Sequence, residues 1–398
     1  MKLYAQHGYG PGEKLTTGLS QNLIDGVVLG AKDTSSAQLG NVIEGLLKAN
    51  SNAEIFFDSH YYASILPRNQ GHRLGNLGGY DYWDDIVRND LFFIEQANIQ
   101  NDIRRVLEFQ NQFSLAAFIA PNILIRHTLN SRDGVTATSF INHTANIARS
   151  VNPNRRVLST LALSREALLD TSELERFVHL ITSLTSPPNG FYLVLALAGT
   201  SNSELFHADV IANLLYLVSS LKLNGFEVVS GYSDLLGPVF ASIGTDAGCS
   251  GWFQTLRMFS LNRFDPSAGG GKPPRPLYLC NLLYNRILVS ELLPAYAVEP
   301  SVRNQFPTDD AYFVDGEVVE PENKTEECSQ SWDTLGRLQD AFSQGTRRQR
   351  LAGLVNHIQN AKTLYESLRR QGVTFESKSS DGHLQPLLHG IAEFQRTL

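Results

Sequence analysis

Phe191-Tyr-Leu-Val-Leu-Ala-Leu-Ala198 is the longest apolar stretch of the chain, it contains no charge, and the segment His207–Leu221 behind it carries apolar residues at helical spacing. Eight apolar residues are far short of the ~20 needed to cross a bilayer. A strand that is apolar on both faces belongs in a parallel sheet covered on both sides.

The same unit recurs in both directions. Before it, Arg156–Leu163 reads as a strand and Thr171–Leu184 as its helix. Further back come the strands Leu115–Pro121, Ala53–Asp58 and Ile24–Ala31, with helices over Thr136–Val151, Gln96–Gln112 and Thr34–Ala49. After it, Glu227–Gly231 reads as a sixth strand, Phe240–Ser250 as the region of a seventh and Pro276–Leu283 as an eighth. Strands alternating with helices of this length predict βαβ units, and about eight of them predict an α/β (β/α)8 TIM barrel. The first strand is not followed by a Gly-x-Gly-x-x-Gly turn, which removes the usual dinucleotide-binding reason for an open doubly wound sheet.

The expected organisation is a barrel over residues 1–298 with a long loop at 59–90, an irregular acidic covering arm over 299–330, and a helical extension over 331–398. The basic run Arg347-Arg348-Gln349-Arg350 is read as a helix face, with contact to nucleic acid or an acidic partner as the alternative.

Composition excludes several classes. The 398 residues carry a net charge of −7, and 42% are hydrophobic, so the chain is neither disordered nor polybasic. The opening residues lack the apolar core of a signal peptide, and three cysteines cannot make a disulfide framework, so the expected location is cytoplasmic, with no membrane association. The charged fraction is only 18%, below the roughly 25% of an ordinary domain, which points to covered surface.

Barrels place their chemistry at the carboxyl ends of strands. Asp58 directly follows Ile55-Phe56-Phe57, so a partly desolvated carboxyl suited to acid/base or nucleophilic work is expected there. His60 is next in line for proton transfer, and Asp33 and Asp246 complete the catalytic candidates. Tyr61, Asn122, Asn202, Tyr232 and Asp234 are the substrate-binding candidates at other strand ends. Arg257 and Arg275, within a basic aromatic segment from Trp252 to Arg275, are the candidates for holding phosphate. No His-x-His site occurs and no cofactor is firmly implied, but the carboxylates Asp33, Asp58, Asp234 and Asp246 form a candidate ring for a divalent metal. The segment Ser267–Pro273 lacks the spacing of a phosphate loop and is read as a flexible loop, with a lid as the alternative.

At Phe57-Asp58-Ser59 the sequence resembles tRNA-guanine transglycosylase-like barrels, whose second strand ends in a catalytic Asp-Ser-Gly-Gly-Phe. His60 and Tyr61 stand where that motif has its two glycines, and the Cys-rich zinc site of that family is absent. The residues Asp58 to Tyr61, Gly231-Tyr232-Ser233 and Leu256-Arg257-Met258-Phe259 also resemble uncharacterised bacterial barrel proteins.

Two functions follow as expectations. One is an enzyme acting on a nucleobase- or phosphate-containing substrate, small molecule or nucleic acid, by glycosidic exchange or hydrolysis. The other is a non-catalytic subunit or recognition module, bound to a protein partner, nucleic acid or a second copy of itself.

Overall fold

The computed structural model describes residues 1–10, 12–66, 74–84, 88–199, 207–264 and 275–397. Eight parallel strands form the barrel: β1 (Lys2–Gln6), β2 (Gly26–Gly30), β3 (Glu54–Asp58), β4 (Phe118–Ala120), β5 (Val157–Ser164), β6 (Gly190–Leu197), β7 (Glu227–Ser230) and β8 (Ala247–Ser250). Pairing runs β3-β2-β1-β8-β7-β6-β5-β4, with Ala5 opposite Val27 and Ser250, and Leu161 opposite Leu193. The Ala116 N–H donates to the Ile55 carbonyl at 2.8 Å, which brings β4 back beside β3 and nearly closes the ring. The chain is therefore a TIM barrel.

Helices α1 (Glu13–Ser20), α2 (Ser36–Ala49), α3 (Gln96–Asn111), α4 (Arg132–Val151), α5 (Thr171–Thr182), α6 (Ala208–Leu223) and α7 (Gly237–Ile243) cover it. Their apolar faces fit the covered sheet: Ile99, Ile103, Val106 and Leu107 of α3 are wholly buried. Two caps follow sequence rules, with Ser131 accepting from Gly134 N–H at the start of α4 and Asp170 from Glu173 N–H at the start of α5.

Three strand assignments need correction. The first strand is Lys2–Gln6, one element earlier than expected, because the polar Tyr4 and Gln6 face the barrel interior and disguise it as a leader. Pro276–Leu283 is not the eighth barrel strand. It supplies β9 (Leu277–Cys280), which pairs antiparallel with β10 (Asn285–Leu288) in a separate hairpin. Phe240–Ser250 splits into the end of α7 and the short β8, which starts only at Ala247.

The chain beyond β8 folds back over the barrel. After the hairpin come α8 (Val289–Val298), α9 (Lys324–Ala341), α10 (Arg347–Arg370) and α11 (Leu384–Arg396). Trp332 of α9 donates its indole N–H to the Ser250 carbonyl at 3.2 Å, and a Cβ at Gly18 would come within 2.9 Å of its ring. Within the basic run, Arg347 donates to Ser219 at 2.7 Å and Arg350 to the Ser242 carbonyl at 3.0 Å, so these guanidiniums tie α10 to the barrel's helices. No helix among the described residues is long and apolar enough to cross a membrane.

Candidate active site

Asp58 ends β3 and is almost wholly buried. Its carboxylate accepts from the His60 backbone N–H at 2.9 Å, the Tyr62 hydroxyl at 2.8 Å and the Tyr192 hydroxyl at 3.3 Å. Tyr192 lies on β6, on the far side of the ring from β3, so this contact crosses the barrel interior. The Tyr192 hydroxyl also meets Gln6 Oε1 at 3.4 Å, and the other amide atom of Gln6, Nε2, is buried with no partner among the described residues. Burial pushes the Asp58 carboxyl up to about 6, against the pull of these donors and of Arg263.

His60 sits in the left-handed region (φ 51°), which turns its ring back over the mouth. The Lys32 N–H donates to Nδ1 at 3.1 Å, so the neutral imidazole carries its proton on Nε2, which faces the Tyr232 hydroxyl at 3.2 Å. Burial, and then the charges of Arg263 and Lys32, hold this histidine well below its usual range. It is neutral, and its 3.6 Å approach to Asp58 is not an ion pair.

Arg263 closes the mouth from the turn Leu261–Phe264. It donates to the Tyr232 hydroxyl at 2.9 Å and to Asp33 at 2.7 Å, with both ends of the ion pair buried. Burial raises the Asp33 carboxyl, and Arg263 moderates that rise. The rings of Phe259 and Phe264 complete the closure, against Tyr62 at 5.0 Å and His60 at 5.7 Å respectively. Tyr232 is also strained into positive φ at 53°, as expected where a fixed side chain must point inward.

Glycine makes room for this arrangement. A Cβ on Gly30 would come within 2.7 Å of the His60 ring, and one on Gly231 within 2.5 Å of the Tyr192 hydroxyl. Gly30→Ala should displace the imidazole and cost about 1–3 kcal/mol by overpacking. A shift of the His60 ring resonances and a lower denaturation midpoint would report it.

The neighbouring His7 faces Thr34 Oγ1 at 3.2 Å and is pushed down to about 4 by burial and by Arg263. A histidine lowered in the folded state contributes stability above its unfolded value of about 6.5 and loses it as the pH falls towards 4. His7→Gln should therefore flatten the pH dependence of stability in that window by about 3 kcal/mol, measured by urea unfolding at pH 7 and pH 4.5.

The other expected site residues lie elsewhere. Tyr61 bonds to Asp102, which pairs with Arg88 at 2.8 Å, away from Asp58. Asn122 is spent on backbone, donating to the Ala137 and Thr160 carbonyls and accepting from Ile123 N–H. Asp246 stands just before β8, at the opposite end of the barrel from the mouth, where it pairs with Lys222 at 2.6 Å and accepts from Val228 N–H. A strand spread over Phe240–Ser250 would put it near the mouth, but the strand begins only at Ala247. Asp234 pairs with Arg286 at 2.7 Å under the C-terminal chain, and Arg275 pairs with Glu376 at the surface at 2.6 Å. Asn202 and the segment Ser267–Pro273 lie outside the described residues.

The four aspartates thus have separate partners and make no carboxylate ring. Among the described residues no group of three or more His, Cys, Asp or Glu is placed to hold a metal. All three cysteines are free and buried, and burial pushes the Cys328 thiol up to about 11.

Sequence reasoning missed His7 and Gln6, hidden in the unrecognised first strand, and Tyr62, Tyr192 and Arg263. Tyr192 carried a readable signal, being the one hydroxyl in the run FYLVLALA.

No protein-family profile and no curated protein matches the chain. Solved structures with a similar architecture include the endo-β-1,4-mannanase from Thermotoga petrophila, at 9% identity and TM-score 0.40, covering 63% of this chain and 67% of that one. A glycosyl hydrolase of the GH3 family from Mycobacterium smegmatis gives 12% identity and TM-score 0.39, covering 63% and 83%. The L-talarate dehydratase from Polaromonas sp. gives 12% and 0.31, covering 64% and 53%. At these values the likeness carries no argument about activity, and the barrel itself rests on the strand pairing above.

Proposed function

We propose that the chain is a hydrolase of glycosidic bonds working at the mouth of the barrel. The observation that carries this reading is Asp58: a buried carboxyl at the carboxyl end of a strand, raised to about 6, held by two tyrosines that reach it from different sides.

A carboxyl of this affinity exchanges its proton near neutrality, where acid/base catalysis is most effective. Asp58 would give its proton to the leaving oxygen as the glycosidic C–O bond breaks. A second carboxylate is needed to take a proton from the attacking water. Asp33, paired with Arg263 at 2.7 Å, is the acid available at the same mouth. As the water oxygen bonds to the sugar carbon, its proton would pass to Asp33, and solvent exchange would restore both groups. The rings of Tyr62, Tyr232 and Phe259 offer the apolar platform that a sugar face requires. Because these side chains are buried, substrate entry would require the turn Leu261–Phe264 to lift, separating Arg263 from Asp33 and Tyr232.

The test is release of nitrophenol from a panel of nitrophenyl glycosides between pH 5 and pH 8. Turnover by the native chain that is lost in Asp58→Asn supports the reading. Turnover that persists in the variant overturns it.

A further inference from the structure

A second site lies outside the mouth, between the ends of β7 and β8 and the chain that folds back over them. It is a cavity of about 680 Å³, within the size range of small-molecule sites. In a chain of net charge −7 its wall carries Arg257, Arg275, Arg286, Lys324 and Lys378 against two carboxylates, Asp234 and Glu376, with Glu327 behind the wall, 3.6 Å from Arg257.

The cations differ in how they are engaged. Arg286 makes three hydrogen bonds, two to Asp234 and one to Ser331. Arg275 pairs with Glu376 and Lys324 with Glu327, both at 2.6 Å. Arg257 is buried and lies 3.6 Å from Glu327, and among the described residues two of its N–H groups make hydrogen bonds, to the Gly251 and Trp252 carbonyls. A guanidinium has five. Lys378 makes no hydrogen bond or ion pair among the described residues and stands exposed at the entrance. Trp252, which also lines the cavity, is buried with its indole N–H unpartnered among those residues.

We propose that this cavity binds a small phosphate ester, with its phosphate held by Arg257 and Lys378 and its organic part against Trp252. Guanidinium and ammonium groups around a partly dry cavity match a compact dianion. An anion would also relieve the crowding of charge there, since burial and the neighbouring Arg286 hold Arg257 below its usual affinity for protons. This site shares no residue with the Asp58 centre and goes beyond the hydrolase reading.

Isothermal titration calorimetry on the full chain tests it, with pyrophosphate, glucose 6-phosphate, glucose and citrate as probes. The two phosphates should bind, more weakly as salt rises, and glucose should not. Lys378→Glu and Arg275→Glu, both at exposed positions, should each weaken binding by about tenfold or more, a loss of about 1.4 kcal/mol. Asp58→Asn should bind as the native chain does, so failure of the hydrolase reading leaves this result untouched. Absence of phosphate binding at about 10 mM, where even a weak site of mM affinity would fill, overturns the proposal. So does citrate binding as tightly as pyrophosphate, or an affinity unchanged in both charge-reversal variants.

Discussion

Asp58→Asn should lower glycoside turnover by about 10²–10⁴-fold, the range supplied by a positioned proton donor, and at the same time make the protein more stable above pH 6. The two effects have one cause. Burial raises the carboxyl from 3.8 to about 6, so the folded state favours the protonated form. A group raised in this way contributes its full stability below the unfolded value of about 4, and that contribution is lost as the pH rises through about 6. At pH 8 the native chain therefore carries a buried negative charge at a cost of about 3 kcal/mol, taking about 1.4 kcal/mol per tenfold change in proton affinity. Asparagine keeps an acceptor for Tyr62 and Tyr192 without that charge. Urea unfolding of both proteins at pH 8 and pH 4 measures the gap, which should be widest at pH 8 and close at pH 4. Active sites are where burial is arranged to shift pKa values in this way, at a cost in stability. Equal stabilities at both pH values would mean that the carboxyl is an ordinary one.

The second large effect concerns how the C-terminal chain is fastened. Asp234→Ala should destabilise the protein by about 3–5 kcal/mol, because it leaves a buried guanidinium without its counter-charge. Asp234 and Arg286 are both nearly fully buried, the pair makes two contacts, and the same carboxylate accepts from Ser250 at 2.6 Å. The charge of Arg286 holds Asp234 below its ordinary value in spite of burial. The double variant Asp234→Ala, Arg286→Met removes the stranded charge and should recover most of the loss, since an apolar replacement of a buried pair is often near neutral. Chemical denaturation of the native, single and double variants decides it. A double variant as weak as the single one would mean that the pair holds the hairpin by geometry and not by charge balance.

The barrel was legible because its strands are buried on both faces. FYLVLALA and the strand ending at Asp58 announce themselves through unbroken apolar runs. The first strand did not, since Lys2-Leu3-Tyr4-Ala5-Gln6 mixes polar and apolar residues, and it does so because Gln6 serves the polar layer of the mouth. Without that strand a count of eight is reached only by including Leu277–Cys280, which belongs to the hairpin. The site was half legible. Asp58, His60, Asp33 and Tyr232 meet as strand ends of one barrel should. Arg263 and Tyr192 could not be tied to them, because side chains that meet across a barrel from distant strands leave no spacing in the sequence. Asp246 failed because a strand of four residues offers too little pattern to fix which end of it a carboxylate occupies.

The central claim is the ionisation of Asp58, and it can be measured without knowing the substrate. A ¹³C NMR titration of the labelled carboxyl, assigned by its absence in Asp58→Asn, should show an inflection near pH 6. An inflection at or below pH 4, the ordinary carboxylate range, would contradict the account.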